Sequence, residues 1–312
     1  MNSLIESRTA GDPDDESIRF TDLTPIQLEQ ELDKLGTPAG DDVIRQWMED
    51  QALRLRKIRK TIAGGKSPDR DAQFQNIARW IDEYLAAGNP CFSVDSKAKE
   101  FQGQLFRQGR VRSNRAFEAF DHDFPSWAEG VIIPHGIYDL VRNRGHINIG
   151  LSRDTTQFAC DSLKWYWNRI GQRCYPAADS ILLLMDGGGS NSASKYIFKH
   201  DLQRVVNSIG IPIRVAHYPS YCSKYNPIER RFFPHVTRAC TGRLFDTLDT
   251  AVKLMQKAST STGLKTTVNV IHRIYETGRN ATQAMKEVLR STIQLDDLLP
   301  KWNYTFTPNT GQ

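Results

Sequence analysis

Three acidic residues of this chain stand where a carboxylate can do chemistry. Asp95 follows the apolar run Cys91-Phe92-Ser93-Val94, and Asp186 follows Ile181-Leu182-Leu183-Leu184-Met185 and precedes Gly187-Gly188-Gly189. The ligand crevice of an α/β sheet lies outside the carboxyl ends of its strands, so a buried strand that ends in a carboxylate delivers it to that crevice. Glu229 is mounted differently. In Asn226-Pro227-Ile228-Glu229 the Asn suits an N-cap, the Pro suits the first helical position, and the glutamate falls in the first turn. Carboxylates with open coordination positions suit Mg²⁺, which prefers oxygen ligands and keeps waters. Two such ions about 3.5–4 Å apart clamp the attacking and leaving oxygens of an in-line phosphoryl transfer. Taken singly, each residue also has a plainer reading. With 36 acidic residues in the chain, a strand-end carboxylate is more often a turn residue, the glycines simply turn the backbone, and Glu229 simply favours its helix terminus.

The remaining motifs narrow the chemistry. The glycine run lacks the GK[ST] that lets a P-loop grip phosphates, and none of the seven histidines forms an HxxxH or HExxH pair. No GxSxG is present. The five cysteines, Cys91, Cys160, Cys174, Cys222 and Cys240, are odd in number and form no CxxC, which predicts reduced thiols rather than disulfides or a zinc site. His217 follows a predicted strand and is placed near the carboxylates, although a hydrogen-bonded structural role is the commoner one.

The elements that must position these residues follow from periodicity. Thr24 to Leu35 carries Leu28, Leu32 and Leu35 on one face, with Thr24 as N-cap; Gly36 stops it, and a second helix from Asp41 or Asp42 to about Asp50 presents Val43, Ile44 and Trp47. Helix, glycine-containing turn and helix outline a helix-turn-helix. Arg70–Ala87 reads as a helix with Phe74, Ile77, Ile81 and Leu85 on one face. Strands are expected at 91–95, near 101–106 and at 147–151, a helix at 156–170, a strand at 181–185, a helix at 192–209 and a strand at 211–216. The order β-β-β-α-β-α-β, antiparallel and then parallel, is that of an α/β, ribonuclease H-like fold: a mixed five-stranded sheet with flanking helices, preceded by a small α-helical, helix-turn-helix-like DNA-binding region. Four stretches are expected: 1–22, an acidic and poorly ordered lead; 23–68, the helix-turn-helix-like region and a basic linker; 69–300, the catalytic domain with a loop-rich insertion near 107–146; and 301–312, a tail.

Charge supports a nucleic-acid partner. Residues 1–50 hold 13 acidic against 4 basic side chains, whereas residues 51–80 hold 8 basic against 2 acidic. A run of Arg54, Arg56, Lys57, Arg59 and Lys60 is suited to neutralising phosphates, with a solvated basic face as the alternative. With 39% hydrophobic and 25% charged residues in 312, and a mean hydropathy of -0.51, the composition is that of a globular chain. No apolar run reaches the roughly 18 residues of a membrane span, and Met1–Glu16 carries no secretory signature, so a cytoplasmic, nucleoid-associated location is expected.

Several blocks together resemble one family. Asp69-Arg70-Asp71-Ala72-Gln73-Phe74, Val94-Asp95-Ser96-Lys97, Pro134-His135-Gly136-Ile137-Tyr138-Asp139, Met185-Asp186-Gly187-Gly188-Gly189-Ser190-Asn191 and Ser223-Lys224-Tyr225-Asn226-Pro227-Ile228-Glu229-Arg230 are similar to the successive blocks of the Rhodopirellula-type DDE transposases of bacterial insertion sequences, the ISAzo-thirteen group. Thr260-Ser261-Thr262-Gly263-Leu264-Lys265 and Tyr275-Glu276-Thr277-Gly278 extend the likeness, and Asn-Pro-Ile-Glu is more distantly similar to mariner-type transposases. The resemblance implies a ribonuclease H-like core whose catalytic and metal-binding triad is Asp95, Asp186 and Glu229, with two Mg²⁺ ions for which Mn²⁺ can substitute. It implies metal-dependent cleavage of double-stranded DNA at element ends and strand transfer into target DNA, within a dimer or higher synaptic complex and without a membrane. Lys224 is placed on a DNA phosphate, and Asn226 beside the third carboxylate. The chain is expected to be shortened at its N-terminus relative to the family, which leaves a second reading, a non-mobile remnant that acts only by binding DNA. A general nuclease on the same fold is a third.

Overall fold

The computed structural model describes residues 9–12, 15–56, 68–188 and 195–309, and the chain divides into two compact units, Met1–Ile62 and Ala63–Gln312. In the first, strands β1 (Thr9–Asp12) and β2 (Asp15–Thr21) pair antiparallel and lead into helices α1 (Pro25–Lys34) and α2 (Asp41–Asp50). Thr24 and Gln27 satisfy each other's backbone N–H groups in a capping box, and Pro25 starts α1 with the φ it needs. Leu23, Leu28, Leu32 and Ile44 form a small apolar centre, while Leu35 and Val43, expected on the inner faces, are exposed. Leu35 is lost because it is already the C-cap, where the chain leaves the helical path and Gly36 takes a φ of +73°.

The second unit begins with α3 (Arg70–Ala86). Its buried residues are Gln73, Asn76, Ile77, Trp80 and Tyr84; of the expected stripe Ile77 is buried, Phe74 and Ile81 pack half-buried on the same cluster, and Leu85 is exposed. The aromatic rings of Trp80 and Tyr84 cover more sheet than Ile81 and Leu85 could, and they set the rotation of the helix. The sheet is then laid down by β3 (Cys91–Ser96), β4 (Glu100–Gln102), β5 (Gly130–Asp139), β6 (Arg144–Gly150), β7 (Ile181–Met185), β8 (Ile213–His217), β9 (Lys265–Ile271), β10 (Gln294–Leu295) and β11 (Asn303–Phe306). Between them lie α4 (Thr156–Tyr166), continued by a π-turn at Trp167–Gly171, then α5 (Tyr196–Ile209), α6 (Pro227–Arg231), α7 (Phe233–Cys240), α8 (Leu248–Gln256) and α9 (Gln283–Thr292).

Strand order is β10-β11-β8-β7-β3-β5-β6-β9, with β4 on the outer end of β5. At its centre β3 pairs antiparallel with β5 and parallel with β7, β5 pairs antiparallel with β6, and β7 pairs parallel with β8. These five strands form the mixed sheet of the ribonuclease H-like fold. They are extended to nine by a parallel β9 at one edge, an antiparallel β11 at the other, and the short β4 and β10. Helices cover both faces. Phe92, Val94, Leu183 and Met185 meet α4 and α5, while Cys91, Leu182, Leu184 and Ala216 meet α3. Burial on both sides is why Ile181–Met185 is apolar at every position. Burying each large side chain of this kind contributes roughly 1.5–3 kcal/mol.

Two expectations are corrected. The strand expected near 101–106 is only the short β4, and the second central strand is β5, inside the stretch 107–146 read as a loop-rich insertion. Pro134 and Gly136 break its apolar run, and both faces are covered, so neither continuous hydrophobicity nor alternation marks it. The stretch 301–312, read as a tail, contributes β11, whose Asn303, Tyr304 and Phe306 are buried against the sheet. No helix among the described residues is long and apolar enough to cross a membrane.

Candidate active site

β3 and β7 run parallel and side by side, so Asp95 and Asp186 emerge at the same end of adjacent strands. Asp95 Oδ1 accepts a hydrogen bond from the Ser96 amide at 2.8 Å, and Asp186 Oδ1 accepts one from the Gly188 amide at 3.2 Å. Glu229 arrives from the other side on α6. Asn226 stands at the N-cap position but does not cap the helix; its amide is buried, hydrogen-bonds the Ser93 hydroxyl and donates to the Val94 carbonyl at 3.4 Å. Ser93 in turn accepts from the Ile228 amide at 2.9 Å. A strand residue thus caps the helix, and the fully buried Ser93–Asn226 pair fixes α6 against the strand that carries Asp95.

Across the β3–β5 pair, Asp95 faces Gly136. A Cβ on Gly136 would lie 2.5 Å from Phe233 Cε1 and 2.8 Å from Ile228 Cδ1, distances that no relaxed contact permits. The glycine lets α6 and α7 sit directly on the strand, and so brings Glu229 close to Asp95. The loop that carries Asp186 is held from below. His217 Nδ1 donates to the Asp186 carbonyl at 3.0 Å, and its Nε2 accepts from the Tyr304 hydroxyl at 2.7 Å. Burial holds His217 neutral, down at about 4, as this arrangement requires. The expected structural role of His217 is the one it fills.

The three carboxylates act on one another. Burial, together with the charges of Asp186 and Glu229, pushes Asp95 up to about 8, and Asp95 and Glu229 are hydrogen-bonded. Burial also raises Asp186 and Glu229, while Lys97, which pairs with Glu100 at 2.8 Å, offsets part of the rise at Glu229. Among the described residues no group of three or more His, Cys, Asp or Glu side chains is spaced so that it could hold a metal ion as it stands.

A stability prediction follows. An unfolded aspartate ionises near pH 4, so between about pH 4 and 8 the folded protein holds a proton at Asp95 that the unfolded chain has released. The stabilisation is complete below pH 4 and is lost as pH rises to 8, by up to about 1.4 kcal/mol per unit. In chelator, Asp95→Asn is expected to withstand more urea than the parent at pH 8 and to lose that advantage at pH 5. A gap independent of pH would show that Asp95 lies outside a like-charge cluster.

The other expected site residues are dispersed. Lys224 is exposed on the turn before α6, with Nζ 5.3 Å from the Tyr225 ring centroid. Arg54 and Arg56 are exposed on the segment after α2 in the first unit, and Lys57, Arg59 and Lys60 lie outside the described residues. Two contributors carried no readable signal. Ser93 looks like any strand serine, and Gly136 like any turn glycine, until the packing of α6 is known.

The chain matches the family model described as the Rhodopirellula transposase DDE domain over residues 1–308. Comparison with curated proteins finds no match. Among solved structures, the chain is similar to a Mos1 transposase paired-end complex with the left transposon end, at 13% identity and a TM-score of 0.43, over 81% of this chain and 67% of that one. A Mos1 mariner paired-end complex with Mn gives 12% identity and a TM-score of 0.44 over 81% and 68%, and a Mos1 strand transfer complex gives 11% and 0.43 over 81% and 66%. With a family model matching residues 1–308 of its 312, the chain belongs to the DDE transposases of the Rhodopirellula type.

Proposed function

We propose that this transposase cuts DNA strands and joins the freed ends to target DNA at a centre formed by Asp95, Asp186 and Glu229. The observation that carries the reading is the convergence of these three partly buried carboxylates, each raised above its ordinary pKa, at the ends of adjacent strands and the start of a helix. Such a concentration of negative charge suits divalent cations, and the donors, all carboxylate oxygens, suit Mg²⁺ or Mn²⁺. Asp95, Asp186 and Glu229 would hold the ions, with the proton shared by Asp95 and Glu229 displaced. The bound ions supply charge neutralisation at the phosphodiester and activation of the attacking oxygen.

The chain's own residues fix geometry. In cleavage a water oxygen bonds to phosphorus, the bond to the 3′ oxygen breaks, and that oxygen leaves as a hydroxyl. In transfer the 3′-hydroxyl oxygen loses its proton and bonds to a target phosphorus, the bond from that phosphorus to its own 3′ oxygen breaks, and the departing oxygen takes up a proton to leave as a hydroxyl. Asp95 is set by β3, buried from Cys91 to Val94, Asp186 by the fully buried β7, and Glu229 by the Ser93–Asn226 pair, so the carboxylates need little reorganisation when substrate enters. The Mos1 structures named above are paired-end and strand-transfer complexes, which supports double-stranded DNA as substrate and a synaptic dimer or larger assembly as the working state. Arg54, Arg56, Lys57, Arg59 and Lys60 would hold the backbone from the first unit, and Lys224 would meet a phosphate beside Glu229.

The test is a cleavage and joining assay on DNA bearing the sequences that flank the gene, with Mg²⁺ or Mn²⁺. Joined products support the proposal. Nicks without joining would make the chain a nuclease, and binding without cutting would make it a DNA-binding remnant. A further expectation concerns the seat of α6. Gly136→Ala should cost about 1–3 kcal/mol through overpacking and lower single-turnover cleavage at least tenfold at a temperature where both proteins are folded. Equal rates would show that Glu229 does not depend on this close approach.

A further inference from the structure

Outside the carboxylate centre, a cleft of about 770 Å³ opens between the start of α4, the start of α5, the loop 276–281 and α9. Its wall is held by a buried network. Arg279 Nη1 and Nη2 donate to Asp201 Oδ2 and Oδ1, each at 2.9 Å, and the Thr156 hydroxyl donates to Asp201 Oδ2 at 2.8 Å, which ties the loop to α5 and α4. The cleft adjoins the centre at one lip, where the Ser96 hydroxyl donates to Asp154 at 3.2 Å.

Cations gather along the α5–α9 side. Lys286 Nζ, Lys199 Nζ and the Arg290 guanidinium lie 5.8, 5.9 and 6.0 Å from the Tyr196 ring centroid, and Lys195 precedes Tyr196 in the wall. Arg290 hydrogen-bonds the Tyr196 hydroxyl and, with the lysines, draws it below its usual pKa. Lys199 is half-buried over the Tyr304 ring, 4.5 Å from its centroid, and burial lowers its pKa too. Tyr304 is the residue that holds His217 against the Asp186 carbonyl. Among the described residues no carboxylate forms a salt bridge with Lys199, Lys286 or Arg290; the nearby pairs include Arg279 with Asp201 and Arg273 with Asp161. The acids that line the cleft, Asp154 and Glu276, belong to the segment before α4 and to the loop 276–281.

Gathering Lys199, Lys286 and Arg290 without a paired carboxylate is unfavourable unless an anion answers them. Lys286 and Arg290 are one helical turn apart, a rise of about 6 Å, close to the advance of about 6.8 Å over two nucleotides of a duplex strand. We propose that the α5–α9 side of this cleft is a binding site for the phosphodiester backbone of the DNA strand that leads away from Asp186. This rests on the strand-transfer reading for the identity of the ligand. The cations contact phosphates and carry no base readout, so the site holds the strand irrespective of sequence.

The test uses the full chain and a short labelled duplex in chelator, with anisotropy followed as a function of salt. Lys286→Glu combined with Arg290→Glu should weaken binding at least tenfold at 0.1 M salt and flatten the slope of log K against log salt by about 1.8, near 0.9 per lost phosphate contact. Lys286→Gln alone should give half the flattening, and Lys257→Glu, an exposed charge beyond α8, should leave the slope unchanged. An unchanged slope in the double variant, alongside cleavage by the parent, overturns this site and leaves the transposase reading standing. Displacement of the duplex by inorganic phosphate at equal phosphate concentration overturns it as well, because the site would then select a small anion. A parent that neither binds nor cuts DNA overturns both.

Discussion

Asp186→Asn is expected to lower metal-dependent strand cleavage by at least about 10³-fold, a loss of about 4 kcal/mol of transition-state stabilisation. The substitution keeps the side chain's volume and removes its charge. All five residues of β7 are buried, so the new amide stays at the strand end and the fold is unaffected. Asp186 is itself raised by burial, so losing the charge relieves the metal-free protein and its urea midpoint should not fall. Single-turnover cleavage by parent and variant, with urea denaturation of both, separates the two effects. Cleavage within tenfold of the parent's would falsify the assignment of Asp186, whatever its stability.

The second large effect is structural. Asp201 is almost fully buried on α5 and receives Arg279 in a two-pronged pair together with the Thr156 hydroxyl. Removing one member of a buried pair typically costs 3–5 kcal/mol. Arg279 keeps some access to water, so Asp201→Asn is placed at the lower end, about 3 kcal/mol. The urea midpoint measures it, and pairing the change with Arg279→Met should recover part of the loss, since no uncompensated guanidinium then remains. A loss below about 1 kcal/mol would mean that the pair behaves as a surface contact.

The parts of this chain legible in its sequence are those in which one force dominates. β7 is readable because both its faces are covered, and the α1–α2 pair because caps and breaks are written in Thr24, Pro25 and Gly36. The strand-end positions of Asp95 and Asp186 follow from the same logic. What escaped was decided by partners distant in sequence. β5 is a strand despite Pro134 and Gly136, because β3 and β6 supply its ladders and Phe233 needs the missing Cβ. On α3 the expected Phe74, Ile77 and Ile81 do face the sheet, and Trp80 and Tyr84 widen that face at the expense of Leu85. Asn226 was readable as a helix cap, yet its amide serves β3 while Ser93 does the capping, a swap that local sequence cannot announce.

Strand β11, between β10 and β8, imposes an order in time. Asn303 forms a reciprocal amide pair with Gln73 of α3 at 2.7 and 2.8 Å, Gln73 also donates to the His217 carbonyl at 2.9 Å, and Tyr304 sets the His217 ring that holds Asp186 from below. A ribosome emits Asp95, Asp186 and Glu229 well before it emits these residues. The nascent polypeptide therefore carries all three acids while the brace under the second is still missing, and the Asp186 loop is seated only once residues 303 and 304 have joined the sheet.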